Sequence, residues 1–111
     1  MKKDIKKLWI EALRSGKYQQ GRLGLKSHQD DGNECYCCLG VLVNECNIGT
    51  WVDLEYKFAL EVGEEQFFGY PPHEFMTELG VKWSEVEVLA QLNDHANYDF
   101  EKIAEWIERN L

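Results

Sequence analysis

The period of apolar positions changes several times along the chain, and each change marks an element. Ile5, Leu8, Trp9, Ala12 and Leu13 fall at i, i+3, i+4, i+7 and i+8, which is one face of a helix over 4–15. Lys3, Lys6, Lys7, Glu11 and Arg14 occupy the other face. Ser15-Gly16 ends it, with glycine suited to a left-handed cap. The next stretch, 17–36, reads as extended and turn-rich. Leu23 alternates with Leu25, and His28-Gln29-Asp30-Asp31-Gly32-Asn33 is a polar turn cluster. This predicts a hairpin joining about 22–27 to about 33–36. Residues 37–46 are almost entirely apolar. Length alone allows a buried strand or a buried helix; we read a helix buried on most sides, stopped at Asn47-Ile48-Gly49. Gly40 inside it costs about 1 kcal/mol relative to alanine, so its presence points to close helix packing.

Periodicity is poor over 50–70, which is aromatic and acidic, and two short strands or an irregular excursion are expected. Pro71-Pro72 then opens a short helix with Phe75, Met76 and Leu79 inside and Gly80 at its end. Ser84 followed by Glu87 has the spacing of a capping box for a helix at 85–93. Asp99 is the expected N-cap of the last helix, where Phe100, Ile103, Ala104, Ile107 and Leu111 form one stripe and Trp106 widens it. Phe100, Ile103, Ala104 and Ile107 are expected to be buried with Leu8, Trp9 and Leu13. The expected fold class is α+β: mostly short helices, with a minor β-hairpin or small antiparallel sheet. The first and last helices pack around 37–46. A chain of 111 residues, 44% hydrophobic, suits a single domain over 1–111 and leaves no room for two ordinary ones. No apolar run approaches the ~20 residues that cross a bilayer. No apolar segment follows the basic Met1-Lys2-Lys3-Asp4, so a soluble, cytoplasmic protein without membrane partners is expected.

Charge changes this picture. The net value is -8, yet residues 1–26 carry +6 and residues 27–111 carry -14. Three readings follow. The basic first helix packs against acidic helices; or the acidic body binds a basic protein, such as one that normally holds nucleic acid; or the basic end touches phosphate directly. Direct nucleic-acid binding is disfavoured, because -14 sits on the same small body. Glu101, Glu105 and Glu108, at i, i+4 and i+7, share one helical face expected to point outward, and are candidate binding residues.

Candidate chemistry is sparse. Cys35, Cys37, Cys38 and Cys46 are four thiols within 12 residues. Paired CxxC knuckles are absent, and helical spacing separates Cys38 from Cys46 by about 12 Å, so no metal and no cofactor is expected. Buried, reduced thiols are the expectation. A weaker candidate is a nucleophilic pair: Cys37 or Cys38 with His95, oriented by Asn93 or Asp94. Gln20-Gly21-Arg22-Leu23-Gly24 lacks the lysine and spacing of a phosphate loop. Trp51, Tyr56, Phe67, Phe68 and Tyr70, with Phe58, are either core filling or an exposed binding patch.

Four ordered blocks carry a resemblance. They are Trp9-Ile10-Glu11-Ala12-Leu13-Arg14-Ser15-Gly16-Lys17-Tyr18, Cys37-Cys38-Leu39-Gly40-Val41-Leu42, Leu89-Ala90-Gln91-Leu92-Asn93-Asp94 and Phe100-Glu101-Lys102-Ile103-Ala104-Glu105-Trp106-Ile107-Glu108. Together they resemble a small, uncharacterised protein family of tailed bacteriophages and prophages. The resemblance implies a viral origin and a life in the bacterial host cytoplasm; it supplies no activity and no site residues. The expected function is that of an accessory protein binding a host or defence protein with a basic surface, as an inhibitor or modulator. A small-molecule or nucleotide-binding protein with an aromatic pocket at 51–70 is the first alternative. A small Cys/His enzyme is the second, and a homodimer is left open.

Overall fold

The first amphipathic stripe forms α1 (Lys3–Arg14), and Gly16 adopts the left-handed conformation just beyond it (φ +77°). Trp9 and Leu13 are buried as expected, but Leu8 is 36% exposed and Ile10 is buried in its place. Each residue turns ~100° about the axis, so Leu8 and Ile10 flank Trp9 on opposite sides. The C-terminal helix closes over the Ile10 side, where Glu108 lies alongside, and leaves the Leu8 side open. The Trp9 indole N–H donates to the Cys38 carbonyl at 2.9 Å, tying α1 to the start of the apolar segment.

The computed structural model describes residues 1–111. The hairpin is β1 (Lys26–His28) against β2 (Glu34–Tyr36), antiparallel, with Lys26 opposite Tyr36. Its first arm starts later than expected, because the backbone before it bonds elsewhere: Leu23 N–H to Asp94 and Leu25 N–H to the Phe68 carbonyl. The apolar segment is helix α2 (Cys38–Cys46), buried from Cys38 through Val43 and ended by Asn47 in the left-handed region (φ +52°). Gly40 is where α2 meets the β1 backbone: a Cβ there would stand 1.8 Å from the Leu25 carbonyl oxygen.

Residues 50–70 hold one strand more than the two expected. β3 (Thr50–Asp53), β4 (Phe58–Val62) and β5 (Glu65–Phe67) form an antiparallel meander with β4 central. Phe58, Ala59 and Leu60 are all buried, so β4 is covered on both faces. Such a strand has no alternating pattern to read. α3 (His73–Leu79) follows Pro72 and ends at left-handed Gly80. α4 (Trp83–Asp94) starts earlier than expected and places Ser84 inside the helix. The cap is different too: Glu85 Oε1 accepts from the Lys82 N–H at 2.9 Å. Lysine offers no acceptor in return, so only half of a capping box forms. α5 (Phe100–Asn110) is capped as expected, Asp99 accepting from the Lys102 N–H at 2.9 Å.

The result is a single α+β domain of five helices and two small antiparallel sheets. One core joins Trp9, Leu39, Leu42, Met76, Leu89, Ile103 and Ile107, each under 2% exposed. No helix is long and apolar enough to cross a membrane. Because Ile103 is wholly buried, Ile103→Ala should cost about 2–5 kcal/mol in urea denaturation. A cost below about half a kcal/mol would mean that the α5 stripe contributes little to the core.

Candidate functional site

The polar centre of the molecule is Asn93, on the last turn of α4 and 0% exposed. Its Oδ1 accepts from the Gln20 side chain at 2.9 Å and from the Cys38 N–H at 3.2 Å. Its Nδ2 donates to the Gly21 carbonyl at 2.8 Å and to Asp94 Oδ1 at 2.9 Å. All four hydrogen-bonding positions of the amide are used. Gln20 also donates to the Tyr98 carbonyl at 2.8 Å, and Asp94 Oδ1 accepts from the Leu23 N–H at 3.0 Å. Asn93 and Asp94 therefore fasten loop 20–24 to the end of α4. That loop holds Leu23 in the left-handed region (φ +62°), where a non-glycine residue costs about 1–2 kcal/mol, with its side chain 75% exposed.

The Cys–His pair is not assembled. Cys37 and Cys38 are buried in the core, and His95 is exposed at the α4 C-cap with no hydrogen bond to either. Burial pushes the Cys37 thiol up to about 12, and pushes Cys38 well above its ordinary value. A nucleophile needs the opposite shift. Cys37 serves instead as the α2 N-cap, its sulfur accepting from the Gly40 N–H at 3.4 Å. Cys35 is buried and Cys46 half-buried, and all four cysteines are free thiols. No group of three or more His, Cys, Asp or Glu side chains is placed to hold a metal ion.

All three α5 carboxylates are exposed, as expected, but two of them are paired with Arg14. Arg14 Nε lies 3.1 Å from both Glu101 oxygens, and its terminal nitrogens reach Glu108 at 2.8 and 3.1 Å. These hydrogen bonds raise the Arg14 pKa and lower that of Glu108. Lys6 adds a bond to the Glu108 carbonyl at 3.2 Å. Glu105 is exposed and makes no ion pair. The basic first helix thus meets an acidic last helix, which was the self-complementary reading of the charge. Most of the unpaired acid lies elsewhere. Glu55, Glu61, Glu64 and Glu65 are exposed on the β3–β5 sheet and its turns, where residues 50–70 carry a net -4.

The aromatic residues divide. Trp51 is half-buried, its indole donating to Asn44 Oδ1 at 2.9 Å, and Phe58 is buried. With Tyr36 they wall the Lys26 ammonium, which lies 4.3 Å from the Phe58 ring centre, 5.4 Å from Trp51 and 5.2 Å from Tyr36. Lys26 is only 7% exposed, and Glu34 at 3.5 Å supplies its counter-charge. Nothing in the spacing of these residues announces that cage. Phe67 is half-buried and borders a cleft with Val62, Pro72 and His73. Tyr56, Phe68 and Tyr70 are 86%, 38% and 44% exposed. Tyr70 leans on Trp83 with ring centres 5.5 Å apart, and the Lys57 ammonium sits 4.6 Å above Phe68. These rings do not line one pocket.

The largest hollow is polar instead. It measures about 730 Å³ and lies between Lys17, Tyr18, Asn44 and the β1–β2 hairpin. Its groups already satisfy one another. The Tyr18 hydroxyl donates to Glu45 and accepts from Asn44 Nδ2 at 2.7 Å, and Lys17 pairs with Glu45 at 3.1 Å. Burial first, and then Glu45, raise the Tyr18 pKa, while the Tyr18 hydroxyl holds Glu45 below the usual carboxylate range. On the hairpin side His28 meets Asp53 at 3.0 Å.

No curated protein and no solved structure matches the chain. A family model does: residues 1–67, which contain α1, loop 20–24, both β1–β2 strands, α2 and the β3–β5 sheet, match a domain of unknown function (DUF8296), and the chain belongs to that family.

Proposed function

We propose that the chain is a small accessory protein of a tailed phage or prophage, working in the bacterial cytoplasm by binding a host or defence protein with a basic surface. One observation carries this reading. The β3–β5 sheet with its flanking turns presents Leu54, Tyr56, Phe68 and Tyr70 to solvent among four exposed, unpaired glutamates. Aromatic anchors within a charged rim are the composition of protein interfaces, and one sign of charge steers encounter with the other. On this reading the acidic contact falls to the sheet and its turns in preference to α5, because Glu101 and Glu108, though exposed, already pair with Arg14. The thiols do not favour an enzyme, since burial keeps Cys37 and Cys38 protonated.

The test is capture from bacterial lysate on the immobilised full chain, followed by titration of the purified partner. The triple variant Glu61→Lys, Glu64→Lys, Glu65→Lys should fold as wild type and weaken binding about tenfold or more. Raising salt from about 0.05 to 0.5 M should slow association steeply, because the screening length falls well below 10 Å. A partner whose affinity ignores both salt and the reversals would sink the electrostatic reading.

A further inference from the structure

We infer that the cleft between the β4–β5 hairpin and the start of α3 is a receptor for a single arginine side chain; the inference rests on the binding function proposed above, in which the basic partner presents that arginine. The cleft measures about 290 Å³ and is lined by Val62, Glu65, Phe67, Pro72, His73 and Glu74. Small-molecule sites run from about 300 to 1,000 Å³, so this one has the size for one side chain and not for a larger ligand. Strand geometry builds one wall. Glu65 and Phe67 are two apart on β5 and share a face, and Val62 stands opposite Glu65 across the hairpin. The other wall is Pro72 and the first turn of α3. His73 is backed there by Trp83, the two rings stacked with centres 4.6 Å apart.

This lining calls for a cation on an apolar stem. Val62, Phe67 and Pro72 are half-buried and supply apolar and aromatic surface. Each wall adds one exposed carboxylate, Glu65 from β5 and Glu74 from α3. Neither is in an ion pair, unlike Glu101 and Glu108 on α5. No lysine or arginine lines the cleft to compete for them. The α3 dipole opposes a cation at this end, but α3 has only 7 residues and carries Glu74 in its first turn. Guanidinium fits the walls better than ammonium does. It is planar and weakly hydrated, it stacks on flat rings such as Phe67 and His73, and its fork of donors matches a carboxylate.

The test is an NMR titration of the isotope-labelled full chain with N-acetyl-arginine amide, run beside the same blocked forms of lysine and of citrulline, the uncharged isostere of arginine. Arginine should shift the signals of Phe67, His73 and Glu74. Lysine should bind at least about threefold more weakly, and citrulline should leave those signals in place. The double variant Glu65→Gln, Glu74→Gln should melt as wild type, because both side chains are exposed and unpaired, and should bind arginine at least about fivefold more weakly. Equal shifts with citrulline, or arginine shifts spread evenly over Glu61, Glu64 and the other exposed acids, overturn the cleft as an arginine receptor. The partner captured from lysate separates this inference from the proposed function. A partner that binds the double variant as tightly as wild type, yet is weakened by Glu61→Lys with Glu64→Lys, overturns the cleft and leaves the proposed function standing. Arginine seated in the cleft with no partner captured upholds the receptor and overturns the proposed function.

Discussion

Gly40→Ala should cost at least about 3 kcal/mol, and in a marginally stable domain it should leave little folded protein at 37 °C. The sign is not obvious from propensity, because alanine inside a helix gains about 1 kcal/mol over glycine. Packing reverses it. The added carbon would meet the Leu25 carbonyl oxygen at 1.8 Å, its carbon at 2.7 Å and its Cα at 3.2 Å. All three are backbone atoms, so no rotamer change relieves the clash. That backbone is also pinned. The Leu25 carbonyl accepts from the Cys37 N–H at 3.2 Å, and the Leu25 N–H is held by Phe68. Relief would require α2 to lift from β1, opening the contact that buries Leu25 and Leu39, both 0% exposed. Gly69→Ala is the control: nothing lies within 4 Å of the new carbon and φ is not positive, so stability should stay within about half a kcal/mol. Urea denaturation of the two variants checks the contrast. Wild-type stability in Gly40→Ala would mean that α2 is not seated on Leu25.

Where a signal was local in the chain, the pattern of residues revealed it. The stripes of α1 and α5 were legible because a helix with one buried face repeats every 3.6 residues. Asp99 could be placed as a cap, and Gly40 marked as a packing contact, because each departs from what its neighbours favour. The failures are non-local. β4 was hidden because burial on both faces erases alternation. The pairing of Arg14 with Glu101 and Glu108 joins residues 87 and 94 positions apart. Only the matching of α5 acids to α1 bases hinted at it, and that hint also fitted an outward acidic face. The Lys26 cage draws on β1, β2, β3 and β4, so no window of sequence contains it. The Asn93-Asp94 step looked like a polar turn between helices. Its burial is set by loop 20–24 folding back over the α4 terminus, more than 70 residues away. Leu23 illustrates the same limit: its backbone conformation is imposed from α4, and nothing in Gly21-Arg22-Leu23-Gly24 specifies which residue takes it.

Asn93→Asp isolates the energetic role of that hub, because it changes one atom and no shape. In the wild type Nδ2 faces two oxygens, the Gly21 carbonyl at 2.8 Å and Asp94 Oδ1 at 2.9 Å. The substitution puts a third oxygen between them. Two donated bonds become two repulsions, and the new carboxylate is 0% exposed beside an existing one. Unsatisfied buried groups cost about 1–3 kcal/mol each, and an uncompensated buried charge costs about 3–5 kcal/mol. A total near 4 kcal/mol at pH 7 is therefore expected. The pH dependence separates charge from mere loss of contacts. Burial and Asp94 both favour the neutral form, so the new carboxyl has a folded-state pKa above its unfolded value of about 3.9. Between those two values the folded state binds more protons than the unfolded state, so stability falls as pH rises through the window and recovers as pH falls. Below the unfolded value the carboxylic acid is neutral in both states. It can then donate one hydrogen bond to Gly21 or Asp94, and much of the loss should be regained. Urea denaturation of wild type and variant at pH 7 and at about pH 4 reads this as a difference of differences. A stability gap that is the same at both pH values, or smaller than about 1 kcal/mol at pH 7, would show that Asn93 does not hold loop 20–24 in the way its hydrogen bonds indicate.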